Sequence, residues 1–494
     1  MSSQIGITNF QPSGSRSSAE LFLVPQAERR TNSARFRSRV AIAEAVVDFG
    51  TVIAAVMLSY VLYYRLGVGK HLYYPHKVVF GVSASLAGAI VLMLDRVGAY
   101  SGCTSLLRVR ETEHLLRASV QALGIAFGVS FFTNFLFSRW LLILTLFTLP
   151  LFLIVDKFLV FKYVQRLHAK GHGIERVLIY GSGATGRRVY SVLSRSPKLG
   201  LEPVALVDEN PAKEGSAVFE LGYERRRAST VVRGPLTCEL VRRYAADLVI
   251  IAIPSLAPHK FHRAVREATA ARASVSFVPN NLMQAEYSVD FRDVDGVMLA
   301  SVSDKSQRRT YHWAKRALDF AGAAALLLFC APLFLIIAVL IHLDSRGPAL
   351  FCQERIGING RQFRMFKFRT MYCDAPPYAY SPRASHDPRI TRIGAFLRRT
   401  SLDELPQLLN VLEGSMSLVG PRPEMPFIVQ QYGELHRQRL QVKPGITGLW
   451  QLSGDRAYLI HENIDYDLYY IRNRNLFMDL AILLHTTIFA MRGV

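Results

Sequence analysis

Two adjacent carboxylates, Asp403 and Glu404, stand in the run Arg398-Arg-Thr-Ser401-Leu-Asp403-Glu404-Leu-Pro-Gln. Read as a helix, this run sets the two side chains about 100° apart, which suits two separate tasks better than one. One carboxylate can attack phosphorus and form an acyl phosphate, while the other holds a divalent metal or orients a group. Mg²⁺ fits the second task, because it binds through one or two carboxylates together with substrate phosphates. On the same helical reading Arg399, four residues before Asp403, helps to keep that carboxylate ionised. Taken alone, an Asp-Glu pair is more often surface charge near a helix start.

Complementary cations lie on either side of the pair. Phe363-Arg-Met-Phe-Lys367-Phe-Arg369 reads as a strand, with Lys367 and Arg369 projecting from one face as a cradle for an anion. A solvated basic strand is the plain alternative. Gly420-Pro-Arg422-Pro-Glu424 is a rigid turn that presents one guanidinium, suited to a phosphate or a base edge. Lys443-Pro-Gly445-Ile-Thr-Gly448-Leu-Trp450-Gln451 is another Gly/Pro loop, with an aromatic platform.

The chain that positions these groups has 494 residues, room for roughly three domains. Half of it is hydrophobic, only 20% is charged, and the mean hydropathy is +0.18. Those values exclude whole-chain disorder and point to a membrane protein with sizeable aqueous parts. The net charge of +21 suits anionic lipid or phosphorylated substrates. Its cations are dispersed over membrane flanks and loops, so nucleic acid is not an expected partner. Five scattered cysteines without a C-x-x-C exclude a disulfide framework and a zinc ribbon. His461-Glu462 lacks the second histidine of a zinc hydrolase.

Residues 1–39 read as a disordered basic tail, ending in Arg35, Arg37 and Arg39. Four apolar stretches, near 41–63, 77–98, 116–137 and 140–161, make a four-helix transmembrane bundle over 40–165. Arginine placement puts both ends of the bundle in the cytoplasm. Asp48 and Asp95, within or beside spans, are expected to meet polar partners between helices. Over 172–303 strands and helices alternate as in a Rossmann-like, doubly wound α/β domain. Arg176-Val-Leu-Ile-Tyr180 is its first strand, and Gly181-Ser-Gly183-Ala-Thr-Gly186 opens the helix that follows. These glycines form a weak candidate nucleotide loop, with Asp208 at the end of the second strand where a ribose-binding acid belongs. A domain that only regulates or assembles explains the same pattern. The stretch 212–234, with Arg225-Arg-Arg227, reads as a loop.

The third block, 310–494, opens with the apolar run 320–343, long enough to cross a bilayer and interrupted by Pro332. Proline lacks an N–H and breaks or kinks a helix. Basic residues flank both ends, so a membrane break at Pro332 that returns the chain to the same side agrees with the charge bias.

The motifs Lys367-Phe-Arg-Thr-Met, Thr-Ser-Leu-Asp403-Glu404-Leu-Pro-Gln, Gly-Pro-Arg422-Pro-Glu and Lys-Pro-Gly-Ile-Thr-Gly-Leu-Trp-Gln451 together resemble the bacterial sugar transferases, or monotopic phosphoglycosyl transferases. The likeness runs from about Lys315 to the C-terminus. The four spans and the Rossmann-like domain resemble the large polyprenyl-phosphate hexose-1-phosphate transferases. This resemblance implies a C-terminal catalytic domain over 310–494 with a re-entrant helix at 317–343, Ala331-Pro332 standing where many members have Ser-Pro. It implies that Asp403 attacks the β-phosphate of a UDP-sugar, UDP-glucose before UDP-galactose, and releases UMP. Undecaprenyl phosphate then takes the sugar phosphate at the cytoplasmic face of the bacterial inner membrane, the first step of polysaccharide repeat-unit assembly. Glu404 would ligate Mg²⁺, Lys367 and Arg369 would contact phosphates, and Arg422 would help to hold the nucleotide. A large α/β domain beside a membrane bundle is also consistent with a homodimer.

Two rival readings use other features. Tyr311-His-Trp-Ala-Lys315 matches the Tyr-x-x-x-Lys pair of short-chain dehydrogenases, downstream of the glycines. A non-catalytic, nucleotide-sensing regulator of polysaccharide assembly would show no turnover with any UDP-sugar.

Overall fold

The computed structural model describes residues 26–67, 73–100, 109–132, 138–195, 200–218, 229–278, 288–294, 297–303, 309–375, 387–452 and 464–490. Two compact units emerge: Met1–Leu106 with Ala118–Asn281, and Leu107–Arg117 with Leu282–Val494.

The first unit holds helices α1 (Gln26–Leu66), α2 (His76–Arg96), most of α3 (Val109–Phe132) and α4 (Arg139–Ala169). Helix α1 begins inside the expected disordered tail. Gln26-Ala-Glu-Arg-Arg30 are good helix formers that extend a helix already nucleated by the apolar span. Residues 1–25 of that tail lie outside the described residues. Among the described residues, four helices are long and apolar enough to cross a membrane: 35–66, 76–96, 139–169 and 311–344. The expected third span, 116–137, falls on α3, which is not among them; residues 133–137 lie outside the described residues. The first turns of α3 carry Glu111, Glu113, His114 and Arg117, which interrupt its apolar character. Asp48, fully buried, finds the expected interhelical partners. Lys157 lies 2.8 Å away, and the Tyr100 hydroxyl donates to it at 2.7 Å.

The same unit carries a six-stranded sheet of order β3-β4-β2-β1-β5-β6. The strands are β1 (Glu175–Tyr180), β2 (Leu201–Asp208), β3 (Ala217–Val218), β4 (Ser229–Arg233), β5 (Leu248–Ile251) and β6 (Ser274–Phe277). All pairings are parallel except β3 with β4, and the strand order reverses between β1 and β5, as in a doubly wound fold. The stretch expected as a loop over 212–234 supplies β3 and β4. Thr230-Val-Val232 is a β-branched run in β4, which pairs with β2 through Val231–Arg233, while Arg225–Arg227 lie outside the described residues. The unit ends at Asn281, and the hairpin of β7 (Ser288–Val294) and β8 (Val297–Ser303) groups with the second unit.

The second unit is built around α5 (Arg309–Asp344), a helix of 36 residues and about 54 Å. The break expected at Pro332 does not occur; helical structure continues through it. Proline removes one N–H bond, at a cost of about 3 kcal/mol, and continuous helix keeps the remaining apolar backbone paired. Both ends of α5 are fastened to this one unit. Near the start, Arg316 donates to the Val411 and Leu412 carbonyls, and Asp319 accepts from the Leu418 N–H. Near the end, Ile337 and Ile341 pack with Phe368 and Leu397, and Asp344 accepts from the Ile393 N–H. Between these anchors Leu328 (81% exposed), Phe329 (83%) and Leu335 (69%) form an uncovered apolar face.

Strands β9 (Leu350–Ile356) and β10 (Gln362–Phe368) pair antiparallel. Helices α6 (Arg392–Thr400), α7 (Gln407–Glu413), α8 (Ile464–Asn473) and α9 (Leu476–Ala490) and the short strands β11 (Ser417–Val419) and β12 (Gly445–Thr447) complete the unit. Gly420 and Gly445 let the backbones of β11 and β12 touch, since a Cβ on Gly445 would meet the Gly420 nitrogen at 2.0 Å. The core joins Ala323 of α5 to Met365, Leu408, Leu418, Tyr470 and Met478. Val109, from the first turn of α3, is buried in that same cluster. Thr112 shares a 2.8 Å hydrogen bond with His485, and Glu113 accepts from Asn475 at 2.9 Å.

Candidate active site

Asp403 and Glu404 stand in a tight turn, Leu402–Glu404, between α6 and α7. The helical reading of this run stops at Ser401, whose left-handed backbone (φ 57°) ends α6. The four-residue relation between Arg399 and Asp403 is lost with it. Arg399 is exposed, and Arg398 is the arginine whose charge acts on Asp403.

Lys367 reaches the turn from β10. Asn410, fully buried on α7, fixes that strand by accepting the Phe366 N–H at 3.0 Å and donating to the Arg364 carbonyl at 2.7 Å. Arg422 reaches in from the Pro421-Arg-Pro423 turn. Lys367 Nζ and Arg422 Nη2 each stand 3.0 Å from Glu404 Oε1. Burial pushes the Glu404 carboxyl up, but Arg422 and Lys367 outweigh it and bring it down to about 2. Asp403 goes the other way. Burial raises its carboxyl above the ordinary value, and the pull of Lys367, Arg422 and Arg398 does not fully offset that. No described residue donates a hydrogen bond to Asp403, so its oxygens are free for a reacting partner.

Arg355 of β9 is a further cation that the motifs did not single out. Its guanidinium donates to Gln353 Oε1 at 2.7 Å and to the Pro423 carbonyl at 3.2 Å. Burial and then the neighbouring Arg422 lower it to about 10. Lys367, Arg422, Arg398 and Arg355 thus surround two carboxylates, an excess of positive charge suited to a diphosphate. The signal in the sequence was weak, because Arg355 and Asn410 look like ordinary strand and helix residues until the hairpin pairs.

Arg369 is not brought to this group. It follows the end of β10 and turns back to the end of α5, donating to the Ser345 and Arg346 carbonyls at 2.7 and 2.9 Å. Lys367 and Arg422 both bond Glu404 Oε1, so Oε2 is the oxygen that could hold a metal. No group of three or more His, Cys, Asp or Glu that could hold an ion exists among the described residues. A single carboxylate oxygen nevertheless fits Mg²⁺, which binds through one or two carboxylates and takes its other ligands from substrate phosphates and water.

The glycine-rich loop in the first unit is already engaged. Asp208 Oδ2 accepts from the Ser182 N–H and hydroxyl and from Lys213, while Oδ1 accepts from the Asn210 N–H. Burial raises this carboxyl, and those donors more than reverse it, to about 2. Its Oδ2 is thus taken up within the domain, while Oδ1 carries one backbone bond. Gly181 (φ +109°) and Gly186 serve close packing: a Cβ on Gly186 would lie 1.7 Å from the Gly181 carbonyl oxygen, while Gly183 faces open space. Tyr311 and Lys315, the dehydrogenase-like pair, belong to the other unit, where both meet the buried Asp479.

Residues 310–493 match the model of the bacterial sugar transferase family, and residues 96–279 match that of a CoA-binding domain. An undecaprenyl-phosphate galactose phosphotransferase of Salmonella typhimurium is 30% identical over 377 residues, 72% of this chain and 75% of that one. The chain belongs to the bacterial sugar transferase family. A second relative of this transferase, a UDP-glucose:undecaprenyl-phosphate glucose-1-phosphate transferase of Klebsiella pneumoniae, is 30% identical over 64% of this chain and 68% of its own. An undecaprenyl-phosphate glucose phosphotransferase of Komagataeibacter xylinus is 46% identical over 184 residues, but that match spans only 35% of each chain. The turn that carries Asp403 and Glu404 lies inside the family match, so the transferase domain and the cation-rich site are one region.

Proposed function

We propose that the transferase moves a hexose 1-phosphate from a UDP-sugar to undecaprenyl phosphate in two steps through Asp403. A carboxylate oxygen of Asp403 attacks the β-phosphorus of the donor; the bond from that phosphorus to the bridging oxygen breaks, and UMP leaves with the bridging oxygen. A phosphate oxygen of undecaprenyl phosphate then attacks the acyl phosphate. The Asp403–phosphorus bond breaks, and the carboxylate is restored. The observation that carries this reading is the contrast within the pair: Glu404 is held by two cations, while Asp403 has no donor among the described residues and stands in the field of three cations.

Lys367 and Arg422 would hold the donor's phosphates, with Arg398 and Arg355 adding positive charge around them. Mg²⁺ on Glu404 would neutralise diphosphate charge as UMP departs. UDP-glucose is the first expected donor and UDP-galactose the second; relatives of both descriptions support the pair. The anchoring of both ends of α5 to one unit supports a monotopic arrangement. The helix then offers its apolar face to the bilayer while the active site stays on the cytoplasmic side of the inner membrane, where a lipid phosphate and a soluble nucleotide meet.

Incubating the purified full-length protein with undecaprenyl phosphate and each of UDP-glucose, UDP-galactose and UDP-N-acetylglucosamine tests the reaction. UMP release with transfer of labelled sugar to lipid is expected with UDP-glucose; absence of UMP with every donor overturns the reading. The exposed thiols Cys352 and Cys373 test the side. An impermeant maleimide should label them in inside-out vesicles and not in intact spheroplasts, as read by peptide mass spectrometry. Labelling in spheroplasts would place the unit outside.

A further inference from the structure

Arg422 is carried on a turn with a proline on each side, Pro421 and Pro423, neither of which has an N–H to donate. Something else must fix that turn, because the side chain it carries meets Glu404 at 3.0 Å. Arg439, 4% exposed, sits behind it. Its Nη2 donates to the backbone carbonyl of Arg422 at 3.1 Å. The rest of the guanidinium is locked in turn: Nε donates to Asp467 Oδ2 at 2.7 Å, Nη1 donates to the Tyr432 hydroxyl, and Glu424 lies 3.8 Å away. Asp467 and Glu424 are themselves 2% and 7% exposed. On the other flank Arg355 holds the Pro423 carbonyl, and the Ile356 N–H donates to the Glu424 carbonyl.

We propose that Arg439 is a positioning residue of the transferase, fixing the backbone of Arg422 so that its guanidinium is aligned with Glu404 and the donor's phosphates. Arg439 does not itself touch substrate. Its planar fork reaches three acceptors at once, which a lysine ammonium on a flexible stem cannot reproduce. Asp467 supplies the opposite charge that makes a buried arginine tolerable in this place. The inference rests on the reading that a UDP-sugar is the donor.

The test is Arg439→Lys in the full-length protein, assayed for UMP release. Lysine keeps the charge opposite Asp467 and gives up the reach to the Arg422 carbonyl. With thermal stability close to wild type, kcat is expected to fall about tenfold to a hundredfold and KM for the UDP-sugar to rise at least about fivefold. An inactive fraction lowers kcat but leaves KM alone, so the rise in KM separates positioning from damage. A folded Arg439→Lys protein with KM and kcat within twofold of wild type overturns the proposal. Should that variant fail to fold, Asp467→Asn carries the test. It keeps an oxygen for Nε but removes the charge that pins the guanidinium. KM should then rise about threefold, and wild-type constants in a folded protein overturn the proposal. If wild type itself releases no UMP from any UDP-sugar, the donor reading has failed instead.

Discussion

Asp403→Asn is expected to abolish UMP release, a loss of at least about 10⁴-fold, of the size seen when a covalent nucleophile is removed. Asparagine keeps the volume and one oxygen but cannot form an acyl phosphate. Because no described residue depends on Asp403 for a hydrogen bond, the variant should fold normally and retain donor binding. The check is UMP release by the purified variant, with mass spectrometry of wild type quenched during turnover. Release near the wild-type rate, or an adduct on another residue, would refute the covalent role. The raised carboxyl of Asp403 also gives a direction for pH. The acid limb of activity should lie above the ordinary aspartate value, and Lys367→Met should move that limb further up, since Lys367 is the strongest influence lowering it.

Glu404→Gln is the second large effect. The substitution keeps one acceptor oxygen but removes the negative charge that Lys367 and Arg422 share at 3.0 Å, leaving two cations facing each other across a neutral amide in a partly buried site. Activity should fall about 10²–10³-fold through loss of an aligned phosphate seat. The protein should lose about 2 kcal/mol of stability, less than a fully buried broken pair because Arg422 is 32% exposed. The sign with pH follows from a folded carboxyl at about 2 against an ordinary value of 4.5. The stabilisation is complete above about pH 4.5 and is lost as pH falls toward 2, the direction for a depressed carboxylate. Unfolding of wild type followed across that window should show a slope that the glutamine variant lacks. An unchanged slope would remove Glu404 from the ion cluster.

The candidate site was legible because its residues stand in local motifs: Asp403, Glu404, Lys367 and Arg422 could each be singled out before any fold was known, and they converge. What escaped depended on backbone geometry. One left-handed residue, Ser401, exchanges Arg399 for Arg398 beside Asp403. The end of β10 at Phe368 sends Arg369 away to the end of α5, although strand alternation alone sets it beside Lys367. Asn410 and Arg355 act through partners more than forty residues distant, which spacing cannot reveal. In the doubly wound domain the glycines and Asp208 were correctly placed at the end of their strands. Asp208 nevertheless accepts from the backbone and hydroxyl of Ser182 inside the loop, and no motif encodes that. Strand β4 was legible in its β-branched composition and was obscured by the arginine-rich stretch before it.

The apolar floor beneath the transferase site is not made from one continuous length of sequence. Val109 is inserted there from more than two hundred residues upstream, with Thr112 and Glu113 tied to His485 and Asn475 beside it. A gene cut between the α/β domain and α5 would therefore remove a wedge from the half that does the chemistry. The transferase unit is thus assembled from two separate stretches of the polypeptide, Leu107–Arg117 and Leu282–Val494, and only a chain carrying both supplies its whole interior.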